Sequence, residues 1–549
     1  MEASTISQIV KISSALVVAE QAHANDGRTP APNSPEQLDR EIKHLAQVRD
    51  RIAKALKHTE ERLSELRHRK NQHVPAYRLP HDAYFHLFKL MHYADFTGGV
   101  GWRVSHVSKM WREIALSTPQ LWSTIDIINP EFIKACIARS GDMSLDVAFD
   151  APLHRPVLST HISSAQAEKA KLSVASLLPH AHRWGSLSLV RVDKELFSPL
   201  LSARAPRLEK LRLECFTASL PPDKEAFLEN SPRLRYIRLG SSTLAALAYT
   251  TYTGLTELRL DSITSWIRHD QFFDLLRRSP LLEVLDLNEI QFAPSSVPAV
   301  FTPIRLPHLR HVEMTEMLTW GVQTILSAIR APPTLTIKAV ICFLGDEDLS
   351  SLLLPRDELE ESLPSLLRIE KLAIGLKGID GMPFIRGYAG SEALLDLTCD
   401  PCEVDGPGFR SAIFRSFGRT FSFPSVEKLR IRRFDNEMME EDVFADVLGN
   451  LPSVVYLTID RCGPACIRKL IVDSTNRLCP NLESLTIVGD DVDEDGLEDL
   501  VASRVGWGYE EGCRLLKLVL PREKAIHPRV ASKLKIWVGR VVVGGEEVE

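Results

Sequence analysis

Pro206-Arg-Leu-Glu-Lys-Leu-Arg-Leu213 is the stretch on which the fold turns, because the same phrase returns along most of the sequence. Its copies are Pro232-Arg-Leu-Arg-Tyr-Ile-Arg-Leu239, Pro280-Leu-Leu-Glu-Val-Leu-Asp-Leu287 and Pro307-His-Leu-Arg-His-Val-Glu-Met314. Later come Pro424-Ser-Val-Glu-Lys-Leu-Arg-Ile431, Pro452-Ser-Val-Val-Tyr-Leu-Thr-Ile459 and Pro480-Asn-Leu-Glu-Ser-Leu-Thr-Ile487. Degenerate copies run over Leu255 to Leu260, Leu515 to Leu520 and, more weakly, Leu187 to Leu189. Most intervals are about 21 to 28 residues, with longer gaps across 330–425. In each phrase the last two apolar residues alternate with polar ones, so a short strand turns them to one side. Helix-compatible segments lie between the phrases, such as Glu225-Ala-Phe-Leu228, Asp270-Gln-Phe-Phe-Asp-Leu-Leu-Arg-Arg278 and Glu441-Asp-Val-Phe-Ala-Asp-Val-Leu448. Strand, turn and helix, repeated, predict an α/β fold with a parallel sheet and helices on its other side. A doubly wound α/β domain is the alternative; the fixed Pro-x-Leu opening and the period favour a repeat array.

The positions facing away from that apolar row are then predictable. They are Lys210 and Arg212, Tyr236 and Arg238, Glu257 and Arg259, Val284 and Asp286, and His311 and Glu313. Lys428 and Arg430, Tyr456 and Thr458, and Ser484 and Thr486 follow. The early positions are mainly basic and the middle ones acidic. Lys210, Arg212, Tyr236, Arg238 and Arg259 are the candidate substrate-binding residues, since arginine pairs well with the carboxylates or phosphates of an acidic segment. The plainer reading is a solvated sheet face whose charges serve solubility. The period and the L-x-x-L-x-L core resemble leucine-rich repeats, which implies a curved solenoid with these residues on its concave surface.

A second stretch, Leu79 to Trp122, reads as a small helical unit. Pro80 fits a first helical turn and Asp82 favours a helix N-terminus. Tyr84, Leu87, Phe88 and Met91 recur at helical spacing, as do Val104, Val107, Trp111 and Ile114 after a break at Gly98-Gly99 and Gly101. Two amphipathic helices are expected on either side of the glycines. A third is expected at Pro119, capped by Ser117 or Thr118, with Leu121 and Trp122 on its apolar side. So small a unit leaves apolar side chains exposed, as a protein-docking surface requires.

The order of those anchors resembles an F-box. The resemblance rests on Leu79, Pro80, Phe85, Leu87, Phe88, Val104, Val107, Trp111 and Arg112. It implies that these residues dock on a Skp-type adaptor, or pack so as to present the docking surface. Through the adaptor they would join a cullin. The chain would then be the non-catalytic substrate receptor of a ubiquitin ligase, with an unknown protein as target. Asp82 stands where the family usually has Glu, and glycines replace the leucine-containing turn before the second helix.

Upstream, Gly27 to Pro35 reads as a flexible linker. Leu38, Ile42, Leu45, Arg49, Ile52, Leu56, Thr59, Leu63 and Leu66 then alternate by four and three residues, a heptad seam. It fits either a dimer through this helix or one amphipathic helix packing back onto its own chain. The short seam, with Arg49 inside it, favours the second. The expected organisation is a flexible tail over 1–35, the helix over 36–73, the F-box-like unit over 77–125, the repeat array over 140–540 and an acidic tail over 541–549.

A chain of 549 residues exceeds one compact core. A net charge of −6 with no Lys/Arg block argues against nucleic acid as partner. Nine scattered cysteines and no apolar run of roughly 18 residues predict reduced thiols, a cytoplasmic or nuclear location and no membrane span. The segment Ile9 to Ala19 follows Glu2 and contains Lys11, so it is read as a short helix or tail rather than a signal peptide. Tempting chemistry is incomplete. Cys399 and Cys402 have CxxC spacing, and Cys462, Cys466 and Cys479 follow, without a second pair to complete a zinc set. Asp491 to Gly496 begins like a calcium loop, but Ala502 stands where a bidentate Glu is needed, and an acidic helix start fits better. His180 and His182, or His308 and His311, lack a carboxylate or thiol partner in a motif. No phosphate loop, GxSxG or HExxH is present. No metal, no cofactor and no enzyme activity are expected. The alternatives are a non-ligase interaction scaffold and a hydrolase or transferase centred on 330–425.

Overall fold

A computed structural model describes residues 35–94, 99–150, 164–192, 199–201, 203–214, 231–240, 254–293, 302–345, 347–352, 361–378, 380–402, 406–420, 423–434, 440, 442–473, 477–489, 494–506, 515–520, 527–543 and 546–547. Residues 1–34 of the expected tail and linker, Gly98, the helix at Glu225, the start of the Asp491 segment and part of the C-terminal tail lie outside the described residues. The chain divides into two compact units, Met1–Trp122 and Ser123–Glu549. Among the described residues no helix is long and apolar enough to cross a membrane.

The first unit opens with α1 (Pro35–Gln72), and its seam is not covered by described residues: the apolar members from Leu38 to Leu66 remain 37–62% exposed. The packing of this helix onto its own chain is therefore not seen. After a 3₁₀ turn at Pro75–Arg78, α2 (His81–Ala94) begins one residue later than the Leu79-Pro80 start predicts. The Pro80 carbonyl accepts from Ala83 N–H at 3.0 Å, so the proline stands just outside the helix and needs no N–H of its own. The single helix expected after the glycines is two, α3 (Val100–Ser105) and α4 (Lys109–Leu116). The break lies at Ser108, whose hydroxyl caps Trp111 N–H at 3.2 Å. The expected third helix is a 3₁₀ turn at Pro119–Trp122. Thr118 Oγ1 bonds back to the Ile114 carbonyl at 2.7 Å, and Trp122 Nε1 donates to Ala115 O at 2.8 Å.

Among the described residues the second unit is mixed α/β around an 18-stranded, mainly parallel sheet. The first nine strands are β1 (Thr124–Ile125), β2 (Leu145–Asp150), β3 (Trp184–Val190), β4 (Lys210–Glu214), β5 (Tyr236–Gly240), β6 (Glu257–Ile267), β7 (Val284–Phe292), β8 (His311–Leu318) and β9 (Thr336–Phe343). They pair in chain order, all parallel. Helices lie between several of them, including α5 (Pro130–Arg139), α6 (Ser164–Leu177), α7 (His269–Arg277) and α8 (Thr319–Ala328). The repeated phrase sets the register: Leu187, Leu211, Ile237, Leu258, Leu285 and Val312 stand side by side and are buried. Leu189, Leu213, Leu239, Leu260, Leu287 and Met314 form a second buried row.

The irregular 330–425 stretch continues the sheet by an inverted route. β10 (Lys371–Lys377), β11 (Met382–Ala389) and β12 (Glu392–Pro401) form an antiparallel meander. Its last strand, β12, pairs with β9, and its first, β10, pairs with β13 (Lys428–Arg432). Parallel pairing then resumes through β14 (Tyr456–Asp460), β15 (Ser484–Val488), β16 (Lys517–Leu520) and β17 (Arg540–Val543), with β18 (Glu546–Glu547) antiparallel to β17. Helices α9 (Pro407–Thr420), α10 (Val443–Gly449), α11 (Pro464–Arg468), α12 (Glu494–Gly506) and α13 (Pro528–Trp537) alternate with these strands. Glu494 and Asp495 open α12, as the acidic-start reading expects.

One backbone feature recurs along a single line across the sheet, inside β6, β7 and β8 and just after the last residue of β3, β13 and β14. Arg191, Ser262, Glu289, Glu316, Arg433 and Arg461 occupy the next position after one register row, and all have φ between 48 and 59°. Such a left-handed non-glycine residue costs on the order of 1–2 kcal/mol. The backbone N–H groups of Arg191, Arg433 and Arg461 still donate to Glu214, Asp460 and Val488 carbonyls on the next strand, at 2.7–2.9 Å. At these three positions the chain leaves the sheet without losing its last ladder hydrogen bond.

Candidate functional site

Two surfaces carry the residues picked out by sequence, one in each unit. In the first unit Tyr84 and Phe88 on α2 meet Trp111 on α4, with ring centroids 5.6 and 5.0 Å from Trp111. Tyr84, Phe88 and Val104 are fully buried there, and the Tyr84 hydroxyl is tied to the Ala76 carbonyl. The glycines have a packing reason: Gly99 caps α3 at φ 65°, and a Cβ on Gly101 would stand 2.7 Å from Leu121 O and 3.2 Å from the Trp122 ring.

With that knot filled, other apolar side chains are left facing solvent. Leu79, Pro80, Leu87 and Val107 are exposed, Phe85 and Trp111 half-buried. Of the nine predicted adaptor residues, Phe88 and Val104 are therefore core residues, while the others, Arg112 included, reach the surface. Leu90, Met91 and Trp102 are also exposed and were not among the candidates. Leu90 and Met91 lie three and four residues after Leu87, and Trp102 precedes the periodic run that starts at Val104. Their signal is large apolar side chains off the core face of short helices.

In the second unit Arg212, Arg238 and Arg259 stand side by side on β4, β5 and β6, with Lys210, Tyr236 and Glu257 in a parallel row. The arginines do not form an uncompensated basic stripe. Arg212 and Arg238 share Glu214 at 2.9 and 3.1 Å, and Arg238 also reaches Asp261 at 3.2 Å. Arg259 pairs with Glu257 at 2.5 Å and with Asp286 at 3.1 Å. The series continues through the Glu313–Lys338 pair to Arg386–Asp396 at 2.9 Å. A depression of about 210 Å³ opens in its middle, lined by Arg238, Arg259, Asp261, Asp286, Asn288 and Glu313. Tyr236 is half-buried and Lys210 exposed at the rim.

The electrostatics follow from that packing. Burial works against the Arg259 guanidinium, but its hydrogen bond to Glu257 and the charges of Glu257 and Asp286 hold its pKa raised. Burial, then the charge of Glu313, raises the Asp286 carboxyl despite Arg259. Glu313 is lowered, first by its hydrogen bond with Lys338. Sequence reading missed Glu214 and Asp261 because each lies one residue beyond the repeated phrase.

The remaining candidates are dispersed. Cys399 is buried on β12 and Cys402 exposed, while Cys462 accepts from Phe434 N–H at 3.4 Å and Cys466 donates to Phe434 O at 3.4 Å. His180 and His182 have ring centroids 6.4 Å apart, and His311 Nδ1 lies 2.9 Å from Thr336 Oγ1. Among the described residues no group of three or more His, Cys, Asp or Glu is placed to hold a metal ion. A broad groove of about 1030 Å³ runs past the strand starts at Glu370, Glu427, Glu483 and Leu516. No known protein-family model matches this chain, and no curated protein matches it.

Proposed function

We propose that this chain is the substrate receptor of a Skp–cullin–F-box type ubiquitin ligase. The first unit acts as the F-box-like module, and the second, read as a leucine-rich-repeat-like solenoid, holds the target. One observation carries the reading. A helical unit whose Tyr84, Phe88 and Trp111 fill its own core still presents Leu79, Pro80, Leu87 and Val107 to solvent. A surface of this composition suits a protein partner, with a few apolar anchors supplying most of the affinity. The chain does no chemistry in this reading; it holds the target within reach of a ubiquitin carrier that the cullin brings.

The polar sheet face is the proposed target surface. Because each arginine already has an acidic neighbour, an acidic or phosphorylated segment binds by exchanging carboxylates, and specificity comes from matching the ladder's order of charges. Co-expression with a Skp-type adaptor followed by affinity purification tests the first half. The wild-type chain is expected to co-purify, and Leu79→Ala with Pro80→Ala to lose most of the adaptor while keeping its helical signal, since both side chains are exposed. A folded wild-type chain that captures no adaptor would leave the non-ligase scaffold as the better reading.

A further inference from the structure

We infer that α1 is an antiparallel homodimerisation element whose seam is covered by α1 of a second copy of this chain. The seam from Leu38 to Leu66 is continuous, and its apolar members are 37–62% exposed. At 1.5 Å per residue it runs for roughly 43 Å. Its period of seven keeps one face turned to a partner helix.

The charges select both occupant and direction. Asp39 and Glu41 flank the beginning of the seam, and Arg67 and Arg69 flank its end. Two copies running in the same direction would place Arg49 against its equivalent inside the seam and Arg62 against Arg67, like charges in both cases. Running in opposite directions about a two-fold axis near Lys54, the seam closes from Ile42 to Leu66 without such a clash, and Leu38 lies beyond it beside the stem of Lys70 of the second copy. Ile42 then meets Leu66 of the second copy, Leu45 meets Leu63 and Ile52 meets Leu56. Asp39 faces Arg67 of the second copy and Glu41 faces Arg69, each pair occurring twice. Small Ala53 and Ala55 flank the crossing point and let the helices approach.

The two polar seam members support the same register, because they fall opposite each other. Thr59 Oγ1 is satisfied by the Ala55 carbonyl at 2.9 Å, and the Arg49 guanidinium pairs with Asp50 at 3.0 Å. The methyl of one and the aliphatic stem of the other are what remain to pack. Arg69 holds Glu65 at 2.6 Å within its own helix, and a guanidinium has donors enough to accept a second carboxylate.

Light scattering on the full chain tests the proposal without reference to any adaptor. The expected mass is twice the 61.5 kDa of one chain. Leu56→Glu with Leu63→Glu is expected to return it to one chain with unchanged far-ultraviolet dichroism. Asp39→Lys with Glu41→Lys is expected to weaken dimerisation by about tenfold or more, and adding Arg67→Glu with Arg69→Glu to restore it. For direction, Ile42→Cys and Leu66→Cys chains are oxidised separately and mixed, and new cross-links are expected only in the mixture. Self-cross-linking of either chain alone would overturn the antiparallel arrangement. A monomer at all concentrations, or a dimer indifferent to Leu56→Glu with Leu63→Glu, would overturn the interface. A chain that dimerises only after removal of residues 1–34 would show that segment to be the occupant instead.

Discussion

Arg504 is fully buried, and its guanidinium donates to the carbonyls of Leu470, Leu478 and Cys479 at 3.0–3.2 Å. It ties α12 to the two segments before it. Arg504→Leu removes the donors and leaves those carbonyls unmet, an expected loss of about 3–5 kcal/mol in urea unfolding. His269 is buried as well, stacked on Phe292 at 4.7 Å. Burial lowers its pKa from 6.5, only partly opposed by Asp270, so the unfolded chain takes up a proton at higher pH than the folded one. Stability is therefore expected to fall as pH drops below 6.5, with no such contribution above it. His269→Phe is expected to flatten the urea midpoint between about pH 7 and pH 5. Neither role is legible in sequence. Arg504 meets carbonyls more than a turn of sequence away, and His269 becomes a stacking residue only when α7 lies on the end of β7.

At the level of elements, the strands were the most legible part. An apolar pair repeated behind Pro-x-Leu can be satisfied only if each pair joins the same buried row, and Leu211, Ile237, Leu258 and Leu285 do. The helices of the first unit were less so, because Ser108 fits the middle of an amphipathic period as readily as a cap. The glycine break became intelligible only through its neighbours. Gly101→Ala is expected to cost about 1–3 kcal/mol and to perturb the near-ultraviolet signal of Trp122, the ring its Cβ would crowd. The polar ladder was half legible: alternation gave the arginines a common face, but their acids lie outside the repeated phrase. Glu313 gives that ladder an acid limit. Its lowered pKa adds stability that is present above its ordinary 4.5 and is lost as pH falls through the folded value. Glu313→Gln is expected to make unfolding less steep below about pH 4.5 in titrations followed by circular dichroism.

Across the whole molecule, thiol exposure offers a probe of how the fold opens. Of the seven cysteines in the described residues Cys402 is exposed, Cys342 is half-buried and the other five are buried. Burial pushes Cys136 up to about 12 and Cys479 up to about 11, which leaves little thiolate at neutral pH. Among these seven, Cys402 is expected to react first with a small disulfide reagent, and Cys402→Ser to abolish that fast phase. The buried five should follow only as the structure opens. Composition and repeat period were enough to anticipate an α/β chain dominated by parallel pairing. The meander was not anticipated, because alternation says that a segment is a strand but not which neighbour it takes. Its inverted order has a consequence during synthesis. β9 pairs with β8 on one edge and with β12 on the other, so on that second edge Phe343 waits for Pro401, its register mate, to be translated. At roughly 5–20 residues per second, the delay between those two residues is on the order of 3–12 s. Throughout that interval the nascent chain carries an unpaired β9 edge, the kind of template on which polysomes seed aggregates and toward which a ribosome-associated chaperone would be drawn.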